Sequence, residues 1–371
     1  MQTAIPCVLM RGGTSKGPFF LASDLPADVV VRDRVLLAAL GSPDVRQIDG
    51  LGGANPLTSK VAIVSRSGAP GVDLDFLFCQ VVVDEARVDT SQNCGNMLAG
   101  VAPFAIEAGL ILPRGGETVV SIRTVNTGMV AEATIQTPGG RVTYEGTARI
   151  DGVPGTSAPI SLNFRDVAGS VCGALLPTGH VVDEIDGVPV TCIDNGMPVV
   201  VFEASAVGRT GYESPAQLNA DEELKRRVEA IRLQAGRLMG LGDVAAKNIP
   251  KMSLVAPPRA GGSLCTRTFI PKVCHEAVGV LGAVTVATAC GLPGSPAARV
   301  VSLPAGARKL ISVEHPSGEF SVELETVPSP DGGLTVRRAA LLRTARRLFE
   351  GRVLVPGTVW DGQTGRGGLT G

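Results

Sequence analysis

The residues best placed by type and spacing to move a proton are Asp89-Thr90-Ser91-Gln92-Asn93-Cys94-Gly95-Asn96, a polar turn running into an apolar helical pattern. A cysteine at a helix N-terminus meets unpaired backbone N–H groups and the positive end of the macrodipole. Both favour thiolate over thiol. A thiol poised between the two forms can give or take a proton at carbon, and the same N–H groups suit a carboxylate. The alternative is a buried structural cysteine, which composition by itself favours. Lys60 closes Gly50-Leu51-Gly52-Gly53-Ala54-Asn55-Pro56-Leu57-Thr58-Ser59-Lys60 and opens the apolar run VAIVSR. Beside Cys94 at the edge of a cleft, and desolvated, it would serve as a general base. Spacing alone fits a solvated surface lysine better.

Lysine is scarce here, at seven of 34 basic residues, yet Thr14-Ser15-Lys16 and Thr58-Ser59-Lys60 repeat one tripeptide around two of them. Where arginine is the default cation, a lysine suggests a need for a titratable amine. The first tripeptide lies in Met10-Arg11-Gly12-Gly13-Thr14-Ser15-Lys16-Gly17, a turn able to bring backbone N–H groups to an anion. It is not a P-loop, because the lysine follows the serine. The Gly50–Lys60 loop lacks the third glycine and the strand–turn–helix setting of a dinucleotide site. Arg11, Arg123 and Arg267 are candidate carboxylate clamps, since guanidinium forks match carboxylates. His275, in Lys272-Val273-Cys274-His275-Glu276, could donate to a carboxylate, act as acid or base, or simply cap and pack. Asn195 sits in a tight turn, Asn195-Gly196-Met197-Pro198. No G-x-S-x-G, H-E-x-x-H or paired-carboxylate signature is present.

The elements that must position these groups are mostly short strands. VAIVSR, FLFCQVVVDEARVD, ETVVSIRTV, GMVAEATIQT and RVTYEGTARI read as strands, and 117–151 reads as a meander. Residues 97–109 and 277–290 are apolar nearly all round and predict two buried helices. Residues 220–239 predict an amphipathic helix with Asn219 as N-cap and Glu222 in a capping box. The end of the chain after Trp360 is Gly-rich and predicted to fray. Gly100, Ala105, Gly109 and Leu110 recur as Gly282, Ala287, Gly291 and Leu292, each 182 positions on. Gly17-Pro18-Phe19-Phe20 is echoed by Met197-Pro198-Val199-Val200. The pattern predicts an internal duplication, two similar domains in which a curved sheet wraps one apolar helix. A pseudo-twofold would bring both helix N-termini to one cleft. The expected boundaries are 1–182 and 183–371, with the C-terminal strand free to return to the first domain.

Composition narrows the function. The 371 residues are 44% hydrophobic and 19% charged, enough for two cores and unlike a disordered chain. With 34 basic and 35 acidic residues and 4% aromatics, the chain has neither the charge nor the stacking platforms of a nucleic-acid binder. No run of 18 apolar residues predicts a membrane span, and MQTAIPCVLMRGG reads as a first strand and not as a signal peptide. A cytosolic location is therefore expected. The eight cysteines form no C-x-x-C and, with three histidines, predict neither a disulfide framework nor a zinc set.

Five stretches carry a resemblance spread over nearly the whole chain: MRGGTSKGPFFLASDLP (10–26), QIDGLGGANPLTSKVAIV (47–64), QVVVDEARVDTSQNCGNMLAGVAPFAIE (80–107), KVCHEAVGVLGAVTVATACGLPG (272–294) and RTARRLFEGRVLVP (343–356). The chain resembles the PrpF-like branch of the diaminopimelate epimerase fold superfamily, and within it the group of tautomerases that act on 4-oxalomesaconate in gallate breakdown. RGGTSKG together with QNCGN is specific to the branch. The resemblance implies an α+β fold of two pseudo-symmetric epimerase-like domains, each a curved mixed sheet or barrel around a central apolar helix, with the site between them. It implies no cofactor and no metal. Epimerases of the superfamily use two cysteines, one per domain; here only Cys94 matches, while the TSK lysine matches Lys60.

The expectation is an isomerase that moves a proton and a double bond in an unsaturated tricarboxylate, 4-oxalomesaconate foremost. Lys60 and Cys94 are the proton-transfer pair, with Ser15, Lys16, Gly95, Asn96, Arg267 and His275 holding carboxylates and the enolate oxygen. Methylitaconate and aconitate are the alternative substrates. An accessory protein for an aconitase-like dehydratase is the non-enzymatic alternative. The expected partners are a small unsaturated di- or tricarboxylate and, at most, a second copy of the chain in a homodimer; neither nucleic acid nor a membrane is expected.

Overall fold

The computed structural model describes residues 1–91, 93–165, 167–303, 306, 308–328 and 334–363. The chain divides into two compact units, Met1–Arg165 with Arg343–Gly371, and Asp166–Leu342. Both are mixtures of strand and helix, as an α+β fold requires. The fraying expected of the Gly-rich end concerns 364–371, which lie outside the described residues. Trp360 is buried, and its carbonyl accepts from Thr3 Oγ1 at 2.6 Å.

The first unit holds strands β1 (Gln2–Gly12), β2 (Ser15–Leu21), β3 (Lys60–Arg66), β4 (Leu74–Val81), β5 (Val88–Asp89), β6 (Glu117–Thr124), β7 (Val130–Gln136) and β8 (Ile160–Phe164), with helices α1 (Val29–Leu40) and α2 (Gly95–Glu107). The second unit holds β9 (Asp183–Ile185), β10 (Val188–Asp194), β11 (Pro198–Glu203), β12 (Lys251–Ala256), β13 (Leu264–Phe269), β14 (Arg308–His315), β15 (Gly318–Pro328) and β16 (Leu334–Arg343). Its helices are α3 (Pro215–Ala220), α4 (Glu222–Leu238), α5 (Val280–Cys290) and α6 (Pro296–Val300). The final strand, β17 (Ala345–Pro356), pairs antiparallel with β1 in the first unit.

The duplication is visible in the pairing. In the first unit the order is β17-β1-β2-β3-β4-β6-β7-β8, antiparallel except for the parallel pairs β2–β3 and β4–β6. In the second it is β9-β10-β11-β12-β13-β14-β15-β16, antiparallel except for β11–β12 and β13–β14. A parallel pair needs a crossover, and the crossovers hold the helices: α1 and α2 in one unit, α3–α4 and α5–α6 in the other. Helix α2 packs against β1, β2, β3, β4, β7 and β17, so the sheet must curve around it. Ten of its thirteen residues are buried. An apolar helix with no polar face is stable only in such surroundings.

Several expected elements shift. RVTYEGTARI is no strand; it makes one isolated bridge, Ala148 to Ser157, and β8 takes the third place in the meander. Three consecutive prolines and glycines, Pro138-Gly139-Gly140, break the chain first, with both glycines at positive φ. The N-cap of α4 is Asp221, accepting from Leu224 N at 3.0 Å, and not Asn219. Asn219 lies in the last turn of α3 and instead clasps the backbone of Cys274, at 3.1 and 2.7 Å. Helix α5 starts at Val280, three residues later than predicted.

Candidate active site

Lys60 is the first residue of β3, and Cys94 is the N-cap of α2. Lys60 Nζ lies 3.5 Å from Cys94 Sγ and 5.6 Å from the centre of the Phe78 ring. Pleat periodicity explains the meeting. Val61 and Ile63 point into the cluster formed with α1, so Lys60 and Ala62 take the face toward α2. At this distance the amine and the thiol are within hydrogen-bond reach of each other. Lys60 is half-buried and Cys94 is 8% exposed. Burial pushes the thiols of Cys79 and Cys192 up to about 12 and that of Cys274 to about 11, which keeps them protonated.

The loops delivering the pair are built by residues that motif reading passed over. Gln47 is buried at φ 46 and accepts from Ser59 Oγ at 2.7 Å and Ala54 N at 2.9 Å. Gln80, opposite Lys60 in the ladder, donates to the carbonyls of Ser59 and Pro56, both at 3.0 Å. Together they fix the turn that ends at Lys60. Asn126 donates to the carbonyls of Thr90 and Phe78 at 2.8 Å, and Asn93 donates to Thr127 Oγ1 and Met129 Sδ. These anchor the approach to Cys94. Isolated amides carry no spacing signal, so the sequence alone does not single out Gln47, Gln80 or Asn126. Gln92 lies outside the described residues.

Helix α2 begins with no side-chain cap. Side-chain oxygens of Asp28, Ser214, Asp221 and Ser295 cap α1, α3, α4 and α6. The two central helices, α2 and α5, have none. At α2 the backbone of Gly95 and Asn96 therefore presents N–H groups suited to an anion. Ser15 Oγ and Asn96 Oδ1 are buried without a hydrogen-bond partner. Asn96 Nδ2 donates to Thr14 Oγ1 at 3.0 Å. Exchanging the amide O and N would let the Thr14 hydroxyl donate to the side chain instead. Gly13 turns at φ 52, and a Cβ there would collide with the Asn96 side chain. At Gly17 a Cβ would strike the Lys60 carbonyl, so glycine is what lets β2 run this close to β3.

Lys16 takes the opposite face of β2 from Ser15. Phe19, on the face of Ser15, packs against Phe104 of α2, whereas Phe20 joins the α1 cluster. Lys16 thus pairs across the ladder with Arg11, away from the Lys60–Cys94 contact. The three arginines are held by the protein. Arg11 donates to the carbonyls of Gly13 and Thr344 at 2.8 and 3.1 Å, clamping the turn. Arg123 forks onto Asp75 at 2.8 and 2.9 Å, which raises its pKa further.

Arg267 and His275 belong to the second unit. Arg267 is buried on β13, with Nε donating to the Glu213 carbonyl at 2.5 Å and Nη1 to Thr266 at 2.8 Å. His275 is exposed, its Nδ1 accepting from Ala277 N at 3.1 Å, four residues before the Gly279 N-cap and not in the first turn of α5. Cys274 lies in the apolar core under α4. Asn195, in the turn between β10 and β11, is buried and donates to Thr288 of α5 at 2.8 Å. Among the described residues no group of three or more His, Cys, Asp or Glu is placed to hold a metal ion, and no helix is long and apolar enough to cross a membrane.

A family model described as PrpF protein matches residues 2–356. The (4E)-oxalomesaconate Delta-isomerase of Novosphingobium sp. strain KA1 is 62% identical over 350 residues, 94% of this chain and 97% of that protein. The 4-oxalomesaconate tautomerase of Pseudomonas putida strain KT2440 is 56% identical over 361 residues, 97% of this chain and 99% of that one. Among solved structures, the crystal structure of methylitaconate-delta-isomerase matches with a TM-score of 0.84 at 36% identity, covering 96% of this chain and 97% of that chain.

Proposed function

The chain belongs to the PrpF protein family, and from that premise we propose that it is an isomerase moving a proton and a double bond in 4-oxalomesaconate. The observation that carries the reading is the 3.5 Å contact between Lys60 Nζ and Cys94 Sγ at an uncapped helix N-terminus. One of the pair, as free amine or thiolate, takes a proton from the carbon vinylogous to the keto group. The C–H electron pair moves into the conjugated system and leaves a dienolate, its charge on the keto and carboxylate oxygens. The other group, as thiol or ammonium, returns a proton at the far end of that system, and the double bond shifts. The contact between them lets the proton pass back and resets the pair.

The remaining groups stabilise charge. Ser15 Oγ–H and the backbone N–H groups of Gly95 and Asn96 would hold a carboxylate or the enolate oxygen, where fixed donors in a buried setting act most strongly. The Asn96 amide fits the same role. Lys16 would contribute long-range positive charge from the other face of β2. Arg267 and His275 enter the proposal by chemical type, as carboxylate donors. The proposed setting is the cytoplasm.

The test is proton NMR in D₂O with 4-oxalomesaconate, methylitaconate and aconitate. Deuterium wash-in with double-bond migration in 4-oxalomesaconate is the expected result. Migration in methylitaconate instead would move the chain toward the substrate named for its solved relative. Saturable binding without exchange in any of them would sink the isomerase reading and favour an accessory binding protein.

A further inference from the structure

Among the described residues β17 is the longest strand, at 12 residues, and the strand it pairs with is β1. Among the described residues no strand lies along its other edge. The edge is apolar as well as open: Leu348, Phe349 and Leu354 are each about half exposed. An open edge of this length with apolar side chains is a template for strand addition. The residues along it define what would fit. Glu350 stands two positions before Arg352, with Gly351 between them. Arg352 has no ionic partner among the described residues, while Glu350 is held on one side by Arg347 at 2.5 Å.

We propose that β17 pairs antiparallel with β17 of a second copy of this chain, about a twofold axis through Gly351. In antiparallel pairing directly opposite residues share a face. Centring on Gly351 sets Glu350 opposite Arg352 of the second copy, twice. It also sets Phe349 opposite Val353, and Leu348 opposite Leu354. At the axis the Phe349 ring lies over Gly351, where a Cβ would meet its Cζ at 2.6 Å. The competing register, centred on Leu348, would match Arg346 with Glu350. It places the axis on the residue where the β1–β17 ladder bulges, between the pairs Leu9–Phe349 and Met10–Arg347, and a bulge interrupts the regular edge that pairing needs.

Sedimentation equilibrium over a concentration series tests the interface and its register together. The wild-type chain is expected to dimerise. Arg352→Glu puts Glu350 opposite glutamate and should weaken the dimer by about tenfold or more. The double variant Glu350→Arg/Arg352→Glu restores both pairs and should dimerise again. Mixing the single variants Glu350→Arg and Arg352→Glu should give a heterodimer in preference to either homodimer. A wild-type chain that stays monomeric at its highest soluble concentration would overturn the proposal. So would Arg352→Glu dimerising like wild type, or a double swap, folded by circular dichroism, that remains monomeric.

Discussion

Helices α2 and α5 occupy equivalent places in two units that share one strand-pairing pattern. Both follow an antiparallel pair, both cross to a parallel strand, both are buried almost throughout, and both lack a side-chain cap. They differ in the residue at the cap. Cys94 stands at α2 with an amine 3.5 Å away, whereas Gly279 stands at α5 with no side chain to offer. The cysteine nearest the N-terminus of α5 in sequence, Cys274, lies in the core beneath α4. Duplication preserves the scaffold, including an uncapped helix N-terminus, while the amine–thiol contact is made at α2 and not at α5. On the proposed mechanism, a pair supplied by one unit shuttles the proton without a second cysteine.

The largest effect should come from removing either member of the pair. Lys60→Ala and Cys94→Ala, each checked for folding, should lower turnover by about 10²–10⁴-fold, the usual worth of a positioned acid or base. Cys274→Ala should leave turnover at the wild-type level. A comparable loss at Cys274 in a steady-state assay would break the asymmetry between the units.

The repeat-related glycines sharpen the comparison at the level of packing. A Cβ on Gly100 would sit 2.6 Å from Phe19 Cζ, whereas one on Gly282 would meet Val278 Cγ2 at 3.3 Å. Gly100→Ala should therefore destabilise by about 1–3 kcal/mol through overpacking. At Gly282→Ala the gain in helix propensity offsets a mild contact, and the change should stay within about 1 kcal/mol. Urea unfolding of both variants checks this, and equal losses would refute it.

Ser15→Ala separates binding from folding. Its buried hydroxyl has no partner, so removal should leave Tm unchanged or raised. If the hydroxyl holds a charged oxygen of the substrate, kcat/KM should fall about tenfold. A drop in Tm with unaltered kinetics would point to a packing role. The smallest effect on stability concerns the caps. Cys94→Asp should add a side-chain cap and stabilise α2 by about 0.5 kcal/mol or more while abolishing turnover, and Gly279→Asp should gain only about 0.3 kcal/mol. Thermal melts would show whether α2 forgoes stability for function and α5 does not.

Much of the scaffold was legible from pattern. The two apolar helices, strands β3, β4, β6 and β7, and the duplication rest on periodicities that tertiary context reinforces. Helix α1 escaped although its signals are present: Asp28 before it, Gly41 after it at φ 78, and Val35, Leu36, Ala39 and Leu40 on its buried face. Its valine-rich first turn mimics a strand. RVTYEGTARI failed the other way, alternating like a strand but following Pro138-Gly139-Gly140.

At the site, the sequence by itself determined residue types and their local settings: a cysteine leading a helix, a lysine opening a strand, glycines where backbones crowd. These depend on neighbours in the chain, so a single sequence displays them. What only the tertiary structure decided is which of them meet. Lys60 and Cys94 are 34 residues apart, and their contact depends on the pleat of β3, the curvature of the sheet over α2, and the amides of Gln47, Gln80 and Asn126 that hold the intervening loops. The same pleat turns Lys16 away from Ser15, its neighbour in the motif. Side-chain direction in a strand alternates at every residue, and which face becomes the inside is fixed by packing.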